Sequence, residues 1–85
     1  MNHIIAYIQP FLAEQEIAVY ADGVCVKTQK VGNIDDIAPV CYALSKEYSI
    51  NQIDLAGAFG YVQRIKDDIL TQGEFDSNEL NVTIY

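Results

Sequence analysis

The chain has 85 residues, of which 51% are apolar and 20% charged, and this composition predicts one compact globular domain spanning residues 1–85. Five Lys and Arg against twelve Asp and Glu give a net charge of −7, which repels phosphate backbones and anionic lipids and makes nucleic acid an unlikely partner. No stretch approaches the roughly 18 apolar residues that cross a bilayer, and no basic segment leads into an apolar signal core. We therefore expect no membrane contact and a cytoplasmic location.

Alternating side chains predict three strands in the first third of the chain. The first runs to Gln9, the second covers residues 15–21 and the third covers residues 24–30. Between the last two, Asp22 and Gly23 suit the positive backbone angles of a tight hairpin, so these strands should pair.

After residue 33 the apolar period changes to three and four residues, which predicts a helix. Pro39 is compatible only with a first turn, so the regular helix should begin near Asp36 after a looser turn. A short fourth strand follows at residues 52–56, and "GAFG" (residues 57–60) leads into a second helix that should stop at Gly73. After the acidic connection "GEFDSNE" (residues 73–79), "LNVTIY" (residues 80–85) predicts a last strand.

These elements predict a mixed α/β fold of order βββαβαβ. The strands should form a five-stranded mixed sheet in the order 3-2-1-4-5, with an antiparallel hairpin and parallel strands 1, 4 and 5. Both crossovers should be right-handed and run in the same direction, so both helices should cover one face of the sheet.

This order of elements, together with "IIAYIQP" and "EIAVYADGVCV", resembles the core of the ribonuclease H-like superfamily, which includes Holliday-junction resolvases and related actin-like ATPase domains. The resemblance implies a carboxylate on the first strand and another at the fourth, which would hold divalent metal ions. Gln9 stands at the matching first-strand position, and its neutral amide cannot replace a charged ligand. Asp54 lies near the second position. We therefore expect a catalytic scaffold without catalytic residues, and no metal or other cofactor.

The sheet face without helices is predicted to be rich in tyrosine. The helix-covered face should carry Ile4, Ala6, Ile8, Ile17, Val19, Val24, Val26, Ile53, Leu55, Val82 and Ile84. The open face should carry Ile5, Tyr7, Gln9, Ala18, Tyr20, Lys27, Gln29, Gln52, Asp54, Asn81, Thr83 and Tyr85.

Tyrosine combines a large contact area with a hydrogen-bonding tip and is enriched where proteins bind each other. The predicted protein-binding residues are the open-face residues Ile5, Tyr7, Tyr20 and Tyr85, together with Phe11 and Leu12 of the following loop. A solvated face without a partner is the simpler alternative.

The other candidate residues give little indication of catalysis or metal binding. Cys25 and Cys41 form no C-x-x-C pair and are expected to be two buried reduced thiols. His3 is the only histidine and is expected to be a surface residue, so no nucleophile has a candidate base. Asp67 and Asp68 lie beside basic residues on a helix, which is typical of a solvated face.

The sequence thus favours a small non-catalytic interaction module that binds a protein partner or forms a homodimer through its open face. One alternative is an acidic inhibitor or mimic that occupies a basic nucleic-acid site on another protein. A second is a reduced ribonuclease H-like metal-dependent phosphodiesterase that uses Asp54.

Overall fold

A computed structural model of the protein describes residues 2–73 and 79–85. Within them, the chain forms strands β1 (His3–Ile8), β2 (Gln15–Ala21) and β3 (Val24–Val31), a single 3-10 turn (Ile34–Asp36), helix α1 (Ile37–Tyr48), strand β4 (Gln52–Gly57), helix α2 (Phe59–Gly73) and strand β5 (Asn81–Ile84). The element order is the predicted one. The acidic connection was predicted across residues 73–79, and residues 74–78 of it lie outside the described residues.

The five strands form one mixed sheet in the predicted order β3-β2-β1-β4-β5. The two strands of the hairpin pair antiparallel, and β2 also pairs antiparallel with β1. The other two contacts, β1 with β4 and β4 with β5, are parallel. Positive φ angles at Asp22 and Gly23 form the tight turn between β2 and β3 that the sequence predicted.

Both helices pack on the same face of the sheet and form one core with it. From α1 this core takes Ile37, Ala38, Cys41 and Leu44, and from α2 it takes Val62, Ile65 and Ile69. The strand residues beneath them are Ile4, Ala6, Ile8, Ile17, Val19, Val31, Ile53, Leu55 and Val82. Ile84 is partly buried against the same core. Within the described residues the opposite face has no helix, as predicted.

The facing of β3 differs from the prediction. We expected Val24 and Val26 beneath the helices and Lys27 and Gln29 on the open face. Both valines are exposed, and Lys27 and Gln29 pair with core residues of β2, so they lie on the helix side. A register shift at Val26, where β3 carries one residue more than β2, reverses the facing of β3 from Lys27 onward. Val24 lies before the shift, opposite Ala21, and is exposed at the end of this edge strand.

The helix boundaries follow from local signals. Asn33 caps the 3-10 turn by accepting a hydrogen bond from the backbone N–H of Asp35 (2.9 Å), and α1 then begins at Ile37 with Pro39 in its first turn. Ser49 ends α1 in the left-handed conformation. The described helices include no segment with the length and apolar character of a membrane span.

Candidate functional site

The carboxyl ends of the three parallel strands β1, β4 and β5 meet at one edge of the sheet, where ligands of open α/β sheets commonly bind. Here the chain turns from β1 back to β2, whereas β4 leads into α2. A shallow groove of about 500 Å³, called the edge groove below, lies between these connections. Its lining consists of Tyr7, Ile8, Gln9, Pro10, Phe11, Ala56, Gly57, Ala58 and Tyr85.

Three aromatic rings of the edge groove are exposed to solvent. The exposed fractions are 54% for Tyr7, 81% for Phe11 and 75% for Tyr85. The lining contains no Asp, Glu, Lys, Arg or His side chain. A concave apolar surface with exposed rings and no charge has the composition of the centre of a protein-binding site.

The loop that carries Phe11 is held by Gln15, whose side chain is buried. Gln15 Oε1 accepts a hydrogen bond from the backbone N–H of Gln9 (2.7 Å), and Gln15 Nε2 donates to the carbonyl oxygen of Gln9 (2.6 Å). The same Nε2 lies 3.4 Å from the carbonyl oxygen of Leu12. We call this set of contacts the Gln15 clasp. It satisfies backbone groups of Gln9 and Leu12 and positions one wall of the groove.

The other wall depends on Gly57, which has φ near +120°. A Cβ atom at this position would overlap the carbonyl oxygen of Ile8, so only glycine lets β4 approach β1 this closely. The Ala58 N–H donates to the same oxygen (3.1 Å) and closes the sheet beneath the groove. Phe59 follows at once as the first residue of α2, and its side chain is exposed.

A polar network surrounds Asp54 in the middle of the open face. His3 donates from Nδ1 to Asp54 Oδ2 (2.6 Å), and Gln52 Nε2 donates to Asp54 Oδ1 (2.7 Å). The hydroxyl of Tyr85 lies 3.5 Å from the same Oδ1. With these partners Asp54 is only 7% exposed, although it lies on a face that has no helix. Its carboxylate is a satisfied structural group.

Three of the six predicted protein-binding residues line the edge groove. Tyr7, Phe11 and Tyr85 share the edge groove, whereas Leu12 is exposed on the same loop outside the lining. Ile5 and Tyr20 are partly buried.

The ring of Tyr20 packs on His3 at 5.4 Å between centroids, tilted by 53°. His3, which was predicted to be a surface residue, lies on the sheet surface as a partly buried partner of Asp54 and Tyr20.

Among the described residues, metal-ligating side chains do not cluster around Asp54. Gln9, at the position where the family resemblance implies a first carboxylate, lines the edge groove. Residues 2–73 and 79–85 contain no group of three or more His, Cys, Asp or Glu side chains that could hold a metal ion. The described side chains therefore give no support to a two-carboxylate metal centre.

The two cysteines differ in environment, which corrects the expectation of two buried thiols. Cys41 is buried in the core, and desolvation raises its pKa from 9.0 to about 12. Cys25 is exposed beside the hairpin, because it pairs with Tyr20 and so lies on the open face of the edge strand β3.

Two features of this surface were not predicted. His3 alternates with Ile5 and Tyr7 of the open face, where Asp54 was also placed, but the pairing of these two residues, 51 positions apart, depends on the register between their strands. Phe59 was interpreted only as part of a turn, although its place at the start of a helix that follows a parallel strand puts it at the edge where ligands of open α/β sheets commonly bind.

Comparisons of this chain with protein-family models, with curated proteins and with solved structures gave no match.

Proposed function

We propose that this domain is a protein-interaction module without catalytic chemistry of its own, and that it binds a partner protein in the edge groove. The observation that carries the proposal is the exposure of Tyr7, Phe11 and Tyr85 around one uncharged concavity. Folding leaves these rings in water. Burying one aromatic side chain against a partner contributes on the order of 2 kcal/mol of apolar transfer free energy.

Polar atoms in the same groove add specificity to this surface. Neither the Tyr7 hydroxyl nor the Gln9 side-chain amide makes a hydrogen bond to another side chain or backbone group in the described part of the chain. Such groups are free to bond with a partner, while the rings supply most of the contact area.

The net charge of −7 favours a partner other than a second copy, because two copies repel each other. A homodimer through the same groove is the alternative. Sedimentation equilibrium at about 100 μM distinguishes the two, since a functional dimer would be populated at this concentration. A dimer that dissociates on Phe11→Ser would make a second copy the occupant of the groove.

For the scaffold, we propose a ribonuclease H-like arrangement that lacks the first-strand carboxylate. Support comes from the order β3-β2-β1-β4-β5 with β2 antiparallel, and from Gln9 at the end of β1. Metal-dependent nuclease activity that is lost on Asp54→Asn would overturn the non-catalytic part of this proposal.

Selection of peptides from a random-sequence display library on the immobilised domain tests the binding site. We expect enriched peptides to lose at least about tenfold in affinity on Phe11→Ser or Tyr85→Ser, because each change removes a ring from the groove. Val24→Ser is the matched control, since Val24 is an exposed apolar residue beside the hairpin, at the opposite end of the sheet. Peptides that bind all variants equally, or no enrichment at all, would contradict the proposed site.

A further inference from the structure

We infer that the segment recognised by the edge groove is a proline-rich peptide in the polyproline II conformation with basic residues at its flanks. This inference rests on the proposed function and specifies the chemistry of the partner. It follows from the free side-chain donors of the groove, from the backbone groups that are already bonded, and from the net charge of the chain.

Backbone groups of Ile8 and Gln9, which line the groove, are already bonded. Ile8 O accepts from Ala58 N–H, and the N–H and C=O groups of Gln9 are both bonded to the Gln15 side chain. A peptide that adds to a sheet needs free backbone donors and acceptors. These three backbone groups are therefore not available to a partner strand, which disfavours strand addition at this part of the groove.

The free polar groups of the groove call for a ligand with unsatisfied carbonyls. The Tyr7 hydroxyl and the Gln9 amide can both donate hydrogen bonds from the groove. A helical ligand satisfies its own backbone and would leave these donors without partners, whereas a polyproline II segment makes no internal hydrogen bonds. Its carbonyl groups are therefore available to Tyr7 and Gln9.

The apolar part of the groove also suits proline. Phe11 and Tyr85 present exposed rings, and Pro10 lies between Gln9 and Phe11 in the lining. Aromatic side chains that flank a shallow groove are the surface on which proline rings pack in known recognition of this kind. Proline also loses little conformational entropy on binding, because its backbone is restricted before the partner is met.

Charge complementarity determines the flanks of the peptide. The lining has no charged side chain, but the whole chain carries twelve acidic against five basic side chains. Glu14, in the loop that continues from Phe11, is exposed and lies 3.8 Å from Lys30 Nζ, so the negative potential comes mainly from the net charge of the chain. An arginine or lysine beside the proline segment therefore enters a negative potential, and its contribution should weaken as salt is added.

Fluorescence anisotropy with a labelled peptide, a central run of prolines with an arginine at each end, tests the inference on the intact chain. We expect saturable binding that weakens at least about tenfold when the prolines are replaced by alternating glycine and serine. Replacing the arginines by glutamates should weaken binding at low salt, with a smaller difference at high salt.

Variants of the domain locate the site. Phe11→Ala should reduce affinity about tenfold or more, and Tyr7→Phe, which removes only a hydroxyl, should reduce it about threefold to tenfold. Val24→Ala should bind like the parent protein. Circular dichroism of each variant confirms that the fold is retained.

The inference fails if the glycine–serine peptide binds as tightly as the proline peptide, if neither binds at millimolar concentration, or if Phe11→Ala and Tyr7→Phe leave affinity unchanged. Its failure is distinct from that of the proposed function. Groove-dependent peptides without proline from the display library would retain the groove as a binding site and exclude this class of partner.

Discussion

Replacing Gly57 by alanine is the sharpest test of how the edge groove is built. Gly57 has φ near +120°, a backbone conformation that residues with a Cβ atom rarely adopt, and it is the last β4 residue paired with β1. A Cβ atom would overlap Ile8 O and lie 2.9 Å from the carbonyl carbon and the nitrogen of Ile8. All three are backbone atoms of a central strand, so the strain cannot be relieved by rotating a side chain.

The expected loss follows from two terms. Holding a residue other than glycine in this backbone region costs about 1–3 kcal/mol. If the strand ends separate to relieve the overlap, the hydrogen bond from Ala58 N–H to Ile8 O is lost, which costs about 1 kcal/mol. We therefore expect Gly57→Ala to lower the free energy of unfolding by about 2–4 kcal/mol. A domain of this size has only about 4–13 kcal/mol in total.

Urea unfolding followed by circular dichroism measures this change. For a small domain the dependence on urea is about 1 kcal/mol per molar, so the midpoint should fall by about 2–4 M. Gly60→Ala is the matched control, because Gly60 lies in α2 with open space where a Cβ would be placed, and it should be neutral or stabilising by up to about 1 kcal/mol. Equal midpoints for the parent and Gly57→Ala would refute the close approach of β4 to β1.

Three further predictions concern buried polar groups and thiols. Gln15→Glu should lower the free energy of unfolding at pH 7 by about 2–3 kcal/mol, because it removes the donor to the loop and buries a charge, with partial recovery as the new carboxyl group protonates in an acid urea titration. A thiol reagent should label Cys25 in the folded protein and Cys41 only after unfolding. Because burial raises the pKa of Cys41 to about 12, the native state keeps a proton that the unfolded state loses, so the free energy of unfolding should fall as pH rises from about 9 toward 12. Cys41→Ala should make that fall smaller. A double-mutant cycle of His3→Ala with Asp54→Asn, measured by urea unfolding at pH 7, should give a coupling of about 1 kcal/mol or more, and no coupling would exclude their hydrogen bond.

Most of the architecture could be predicted because its signals are local. The Asp22-Gly23 turn sets the hairpin, the change of period after residue 33 marks α1, and right-handed crossovers then leave one sheet order and one covered face. The same reasoning placed Tyr7 and Tyr85 on the open face, and the structure shows both in the edge groove.

The features that were not predicted depend on strand register, and side-chain alternation carries no information about register. One additional residue in β3 reverses the facing of Lys27 and Gln29, and nothing in the local sequence marks that insertion. The contact between His3 and Asp54 requires the relative position of β1 and β4 along their axes, and that position is set by the core residues on the other face. Alternation predicts which face a residue occupies but not which neighbours it has.

The Gln15 clasp has a consequence for the thermodynamics of recognition. Ordering a free loop residue costs about 1–2 kcal/mol of backbone entropy. In a mobile loop this cost would reduce the free energy of every binding event. Here Gln9 and Leu12 are held by a side chain that is buried during folding, so this entropy is lost once, before any encounter. Phe11 is thus presented on a preformed backbone, and residence time rather than loop closure should distinguish tight from weak ligands.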